Sequence, residues 1–593
     1  MQRPGLDEKT PLPWVVFCWL VAGTGSFVFA YHWLPGTDLD GEIVPLGIDA
    51  FYHARRILDT VHDPGAFFQF DDRMHVPEGS WIVWPWFFDW SIAHLVRTLI
   101  SIFPALDPKL VMVLVPPFWT FINAALLLSI GIQVGLRRVY LFALSACYAL
   151  SPLTLQLHGA GQIDHHFAEQ TMMFACLSAT LLWMRNTEDP YRAGLLGCIL
   201  GAAHGIHNGL FLLQAPVLAT IFWCWWRGAH IGLKATYSFS ASMLLTTLAV
   251  LAGSEPFLQL MFRVELLSWF HLYVTFATAL LAIFIVRSPR STRGVAATAF
   301  IALFLAIPVL EHVTWGLTFI GSRLEHYETL TEARALVSID PVQRIPFEEA
   351  LQKYTGLVVF LPIVLITSIL ILFKAGKNSA YVTLAVFTLF GATMMIQQHR
   401  FHQFGSFTLY LPVLVAIQRY LYGFRGYRSW VSGLILLLVL GLAYLPSVKY
   451  LRSPISVGGS NDFRYIWPII EHLRSICADA PGLVLIDRNL AHHVRYFSEC
   501  SVLANNFVTT KQHFEKVAEL DNVLQGSAER DLEFQPDARY LVVIDNPFYG
   551  PSMLELLHRE SEDLPPAIKP IAVATVGKGK VAYGRIFQVT SKE

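Results

Sequence analysis

Apolar residues in this chain come in long, nearly unbroken runs separated by short polar breaks. The runs fall near 12–34, 111–134, 141–156, 167–184, 193–206, 208–226, 235–252, 266–286, 294–311, 355–373, 380–396, 406–422 and 430–449. A helix needs about twenty apolar residues to cross a hydrocarbon core, so the pattern predicts about thirteen transmembrane helices, the shorter runs being the least secure. The first run is too long for a signal-peptide core and has no small-residue cleavage site, so it is expected to be a retained span. Two breaks are long, about 35–110 and 312–354, and loops of that length are uncommon without a task. Within the first, 89–103 has the spacing of an amphipathic helix lying along a membrane interface.

From about 451 the pattern changes. Short apolar runs, Leu483-Val484-Leu485-Ile486 and Tyr540-Leu541-Val542-Val543-Ile544, alternate with helix-like polar segments at 465–477, 511–525 and 552–560. Residues 451–593 are therefore expected to form a small α/β domain following a membrane domain of 1–450.

Composition agrees with the pattern. The 593 residues are 54% hydrophobic and 15% charged, against about 25% charged in soluble proteins. Mean hydropathy is +0.48. The formal net charge of −1 gives no overall basic excess that would point to nucleic acid. Arg3/Lys9, Arg137/Arg138, Arg185/Arg192, Arg227/Lys234, Arg287/Arg290/Arg293, Lys374/Lys377 and Arg425/Arg428 fall in alternate connections. The positive-inside rule makes those connections cytoplasmic. An odd number of spans then puts both long loops and the C-terminal domain outside, as expected for a multi-pass protein of the cell (inner) membrane with a periplasmic or extracellular domain. Cys18, Cys147, Cys176, Cys198 and Cys224 lie in apolar runs and read as packing residues, whereas Cys477 and Cys500 lie in the polar region, where one disulfide can form. There is no internal repeat, P-loop, dinucleotide-type glycine fingerprint or CxxC motif.

Candidate chemistry collects on the predicted outer face. Gly161-Gln162-Ile163-Asp164-His165-His166 sets a carboxylate and two imidazoles between two apolar runs, where ionisable groups are costly and read as functional. Asp164 and His166 suit a divalent cation such as Mn²⁺, Mg²⁺ or Zn²⁺. Asp49, in the first long loop, and Glu332, in Thr329-Leu330-Thr331-Glu332, lie on the same side and can join them. Arg400, in Gln397-Gln398-His399-Arg400-Phe401, suits recognition of a lipid-linked phosphate. Each has a plainer reading: the 161–166 turn as a hydrogen-bonded interface loop, Asp49 as a helix cap, Glu332 as a solvated acid, Arg400 as a snorkelling side chain. His75 is a further candidate ligand with a stronger case as a satisfied interface histidine. His204 and His207 are expected to be structural.

The order Asp49-Ala50-Phe51-Tyr52-His53, then Asp164-x-His166, then Thr329-Leu330-Thr331-Glu332, then Arg400 resembles the catalytic subunits of oligosaccharyltransferases, the GT-C-fold enzymes of N-glycosylation. The span count and the following domain are similar too. The resemblance implies that Asp49 and Glu332 are catalytic and that Asp49, Asp164, His166 and Glu332 hold Mn²⁺ or Mg²⁺. It implies Arg400 on a polyprenyl-linked glycan donor, and a protein or other exported acceptor. It departs at the acceptor-reading WWDYG motif, whose place is taken by Asp487-Arg488-Asn489-Leu490-Ala491. A standard acceptor sequon is therefore not expected. Rival readings are a GT-C monosaccharide transferase, a transporter with mid-membrane polar sites, and a family member whose exported domain only binds.

Overall fold

The computed structural model describes residues 10–65, 67–312, 334–338, 344–374, 378–422, 429–448, 460–526, 537–546, 548–576 and 581–590. Every run predicted to span is helical there. Among the described residues seven helical stretches are long and apolar enough to cross a membrane: Leu12–Thr37, Pro108–Gln133, Asn208–Trp226, Trp269–Arg287, Thr292–His312, Gly356–Lys374 and Ser379–Gln397. An eighth is a pair, Arg138–Ala149 and Pro152–His158, bent by 56°. Ser151-Pro152 supplies the bend, because proline cannot donate the helical hydrogen bond. The five other predicted runs are helical but shorter or less apolar, so what length and composition support is a multi-pass bundle rather than a count of thirteen spans.

The early elements are α1 (Leu12–Tyr31), α2 (Ile48–His62), α3 (Trp86–Ile102), α4 (Pro108–Gln133), α5 (Arg138–Ala149), α6 (Pro152–His158), α7 (His166–Arg185) and α8 (Pro190–Ile206). α4 packs on α1 and α7, and α8 packs closely on the helix Leu233–Leu251. The last contact depends on glycines: a Cβ on Gly197 would lie 2.3 Å from the Phe239 carbonyl oxygen. Small residues of this kind let helices approach inside a bilayer. Phe300, Leu303, Phe304, Ile363, Ile366 and Phe373 point outward, the pattern of helices solvated by lipid chains.

Among the described residues the C-terminal region begins with the helix Ser460–Asp479 and builds a five-stranded sheet. Its strands are β1 (Leu483–Leu485), β2 (Ser501–Val502), β3 (Ala538–Ile544), β4 (Ile568–Val576) and β5 (Val581–Val589), in the order β2-β1-β3-β5-β4. β2, β1 and β3 are parallel, and β5 and β4 close the sheet antiparallel. The predicted strands at 483–486 and 540–544 are β1 and β3. The antiparallel β4–β5 pair has no counterpart among the strands expected from the apolar pattern. Cys477 and Cys500 form a disulfide with Cα atoms 5.5 Å apart.

The first long loop is built into this region. Leu39, Phe51, Tyr52, Met74 and Trp84 share one apolar core with Ile469, Val484, Val502 and Leu541. Met74 pairs in parallel with Val502, the Val502 N–H donating to the Arg73 carbonyl at 2.9 Å. Asp71 and Arg495, both almost fully buried, form an ion pair at 2.9 Å, and the Tyr52 hydroxyl donates to Asp71 at 2.8 Å. Burial pushes the Asp71 carboxyl up, but Arg495, Tyr52 and the Arg73 N–H outweigh it and hold it below the usual carboxylate range.

His75 lies in this interface, stacked on His513 with ring centroids 4.6 Å apart. Burial depresses both imidazoles, His75 well below its ordinary value and His513 to about 4. The unfolded chain therefore binds protons below about pH 6.5 that the folded one refuses, and stability falls as the pH drops through that value. Two outcomes are expected. The melting temperature of the purified protein should fall between pH 7.5 and pH 5, with a smaller fall in His513→Gln. Asp71→Ala should cost about 3–5 kcal/mol by stranding a buried guanidinium, measured by denaturant unfolding.

Candidate functional site

Three chain segments meet in one polar cluster. The first is the opening of α2. The helix starts after Gly47, whose φ of +94° is costly for other residues and whose Cβ position is 3.3 Å from Gln162 Oε1. Asp49 stands in the first turn and His53 one turn later, a spacing that puts both on one face. α3 brings Asp89, an acid in an apolar segment, against His53: Nδ1 lies 2.7 Å from Asp89 Oδ1. Arg56 Nη1 donates to the other oxygen at 2.5 Å. A carboxylate so held fixes the orientation of an imidazole, as second-shell acids do for metal-binding histidines. His53 Nε2 is left 3.5 Å from Asp164 Oδ1 and 3.3 Å from His165 Nδ1.

The second segment is the turn between α6 and α7. It is pinned by backbone bonds, with the Ala160 N–H donating to the Ala30 carbonyl at 3.0 Å and the Gly161 N–H to the Val113 carbonyl at 2.9 Å. Leu46 N–H donates to the Gly161 carbonyl at 2.7 Å, tying the turn to the start of α2. Asp164 Oδ1 lies 2.6 Å from His165 Nδ1 and Oδ2 3.5 Å from His166 Nε2. Burial pushes the Asp164 carboxyl up, but His166, His165 and His53 overcome this and hold it well below the carboxylate range. Burial also pushes His53 down, yet Asp89 and Asp164 raise it to about 9. His165, with burial dominant, falls to about 4.

The third segment is the turn 399–405, which follows the helix Ser379–Gln397. It lies so close to that helix that a Cβ on Gly405 would be 2.4 Å from the Gly391 carbonyl oxygen. Gln403 Nε2 donates to Glu169 Oε2 at 2.7 Å. The same carboxylate receives His166 Nδ1 at 2.7 Å and, on its other oxygen, His207 Nδ1 at 2.9 Å. His207 stacks on His165 at 4.6 Å.

Asp164 and His166, singled out from sequence, therefore do come together. Asp49 stands one helical turn from His53 and accepts a hydrogen bond from Asn506 at 3.1 Å. Arg400 is half-buried, its guanidinium 5.1 Å over the Phe401 ring, three residues before Gln403. Glu332 lies outside the described residues. Arg334, two residues on, is described, and its carbonyl accepts from the His399 N–H at 2.9 Å. His75 belongs to the interface beneath the C-terminal domain, on His513. His204 is structural as expected, hydrogen-bonded to Thr275 at 3.1 Å and Gln214 at 3.2 Å. His207 is not: it is part of the cluster through Glu169 and His165.

His165, the second imidazole of the 161–166 stretch, joins the cluster without having been assigned a ligand role, and His53, Asp89 and Glu169 are not singled out by the sequence at all. The signals existed: His53 is i+4 from Asp49, Glu169 is i+3 from His166, and Asp89 interrupts an aromatic run. Two groups among the described residues have ligand atoms within 4.8 Å of one another, His53/Asp164/His165 and His165/Glu169/His207. Imidazole nitrogens with carboxylate oxygens fit a first-row divalent ion better than Mg²⁺, which prefers all-oxygen surroundings.

Solved structures of an archaeal oligosaccharyltransferase have a similar fold. The archaeal oligosaccharyltransferase AglB of Archaeoglobus fulgidus, in complex with an inhibitory peptide and a dolichol-phosphate, matches with a TM-score of 0.73 at 15% identity, over 90% of this chain and 69% of that one. The Archaeoglobus fulgidus enzyme tethered to an acceptor peptide containing the NVT sequon matches with a TM-score of 0.70 at 16% identity, over the same 90% and 69%. Its complex with Zn and sulfate gives 0.68 at 15%, over 89% and 68%. No protein-family model and no curated protein sequence matches the chain. The similarity of fold thus extends over nearly the whole chain.

If Asp89 orients His53 toward a cation, Asp89→Asn should weaken Mn²⁺ binding by about 10–100-fold. Isothermal titration of the metal-stripped protein measures this, with Asp164→Ala expected to lose more.

Proposed function

We propose that the protein is a metal-dependent glycosyltransferase that moves a glycan from a polyprenyl (pyro)phosphate to an exported protein acceptor at the outer face of the cell membrane. The observation that carries this reading is the meeting of the Asp49–His53 turn, the Asp164–His166 turn and the 399–403 turn in one cluster. The fold shared with AglB supports it. The Cys477–Cys500 disulfide supports an exported C-terminal domain, since disulfides persist in oxidising compartments.

In this reading Asp49, Asp164, His166 and Glu332 hold a divalent cation, with His53 and His165 beside Asp164. When bound, the cation supplies Lewis-acid stabilisation of charge on the leaving phosphate oxygens. Arg400 binds the phosphate by paired N–H donors. Asp49 and Glu332 orient the acceptor nucleophile and accept its proton. The lipid chain lies along the outward-facing apolar helices. Transfer is a single inverting displacement: the nucleophile bonds to the anomeric carbon as the bond to the phosphate oxygen breaks.

Acceptor choice differs from sequon reading. Where the WWDYG motif is expected, the buried Asp487 is occupied internally, taking hydrogen bonds from the Asn489 N–H at 3.0 Å and Asn546 Nδ2 at 3.3 Å. Burial raises its carboxyl above the ordinary value.

Purified protein incubated with extracted lipid-linked glycans and Mn²⁺ should add glycan mass to an acceptor, read by mass spectrometry. EDTA should stop the reaction, whereas a monosaccharide transferase using a polyprenyl monophosphate should be indifferent to it. Asp49→Ala combined with Glu332→Ala should abolish transfer without loss of membrane insertion. Arg400→Ala should raise the donor KM more than it lowers kcat. An active double variant would refute the assignment.

A further inference from the structure

We infer that Asn506, delivered by the C-terminal domain, is a positioning residue for the Asp49 carboxylate, and that His492 sets which end of its amide faces that carboxylate. The inference deepens the reading above, since it takes Asp49 as part of the cation and acceptor site.

An asparagine amide can present two donors or an acceptor, and only the donor end suits a carboxylate. Here Asn506 Nδ2 donates to Asp49 Oδ1 at 3.1 Å, while Asn506 Oδ1 is hydrogen-bonded to His492 Nε2. Burial pushes the His492 imidazole down to about 4, so the ring is neutral. Because an amide oxygen can only accept, Nε2 is the nitrogen that carries the proton in this arrangement, and the amide group faces Asp49. Flipping Asn506 would set its carbonyl against the Asp49 carboxylate and its amide hydrogens against the His492 N–H, losing both bonds.

The loop bearing Asn506 is held firmly enough to act this way. Phe507 packs edge-on against Trp84 and Tyr52, with centroids 4.3 and 5.4 Å apart. Trp84 in turn covers His53 at 4.3 Å. Asn505 Oδ1 accepts from the Phe507 N–H at 3.0 Å, and His492 is wedged between Tyr52 and Phe507 at 5.5 and 4.6 Å. Asn506 and Asp49 are 457 residues apart in sequence. The contact makes the C-terminal domain part of the site's construction, a role separate from reading an acceptor. A second-shell donor fixes the rotation of a carboxylate and tunes its affinity for a metal.

The test titrates Mn²⁺ into the full-length, metal-stripped protein by calorimetry and by the Mn²⁺ EPR signal, with melting temperature recorded without metal. Asn506→Leu keeps the volume and removes the donor; it should weaken Mn²⁺ binding about 10–100-fold with the melting temperature held. His492→Phe keeps the ring packing and should weaken binding in the same direction by less. The double variant should bind no more weakly than Asn506→Leu alone, because both act through one chain of bonds. Should Asp49→Asn lose Mn²⁺ while Asn506→Leu binds as wild type, or weakens only alongside a drop in melting temperature, Asn506 has no positioning role. Wild-type protein that binds no Mn²⁺, or whose binding Asp49→Asn leaves intact, overturns both this inference and the reading of Asp49 beneath it.

Discussion

Asp164 is a carboxylate set at the end of a tightly packed helical bundle, and most of the surrounding polar architecture can be understood as compensation for that. An ionised acid removed from water is tolerated only with partners close at hand. His53, His165 and His166 all approach it within 3.5 Å. Those imidazoles need partners in turn, which brings Asp89 and Arg56 to His53, and Glu169, with Gln403 and His207, to His166. One largely buried charge thus propagates into a network spanning α2, α3, α7 and the 399–405 turn. A network that only stabilised the bundle would be a poor use of such groups, because well-packed apolar residues do that as effectively. Its concentration in one place is what argues for a task.

The second constraint is the interlock between the first long loop and the C-terminal domain. Phe51 and Tyr52 look into the domain's core, while Asp49 meets Asn506 and His53, one turn along the same helix, meets Asp164. α2 is therefore shared between the two halves of the molecule. The Asp71–Arg495 pair and the backbone bond from Val502 to Arg73 hold that arrangement. A movement of the domain would be felt directly at Asp49.

Much of this was legible in the sequence. The long apolar runs announced the bundle, and Asp164-x-His166 announced the cluster because charge between apolar runs is rare. The amphipathic spacing of 89–103 corresponds to α3, and the short strands of the C-terminal region were visible as apolar runs between polar helices. Other features were hidden for physical reasons. His53 and Asp89 matter only through each other, across 36 residues, and no local periodicity reveals such a pair. His207 looked structural because its partner, Glu169, lies on another helix. The β4–β5 hairpin alternates too weakly, with Pro570 and Gly584 inside it, to stand out. That the loop 38–84 shares a core with residues 466–587 could not be read from a boundary drawn at the change in composition.

If carboxylates from separate loops converge on one cation, the ion itself should be visible where they meet. Anomalous scattering at the manganese edge, from crystals of the protein grown with Mn²⁺, tests it most directly. One strong peak is expected within coordination distance of Asp49 and Asp164, beside His166. A peak elsewhere, or none on a protein that retains glycan transfer, would contradict it.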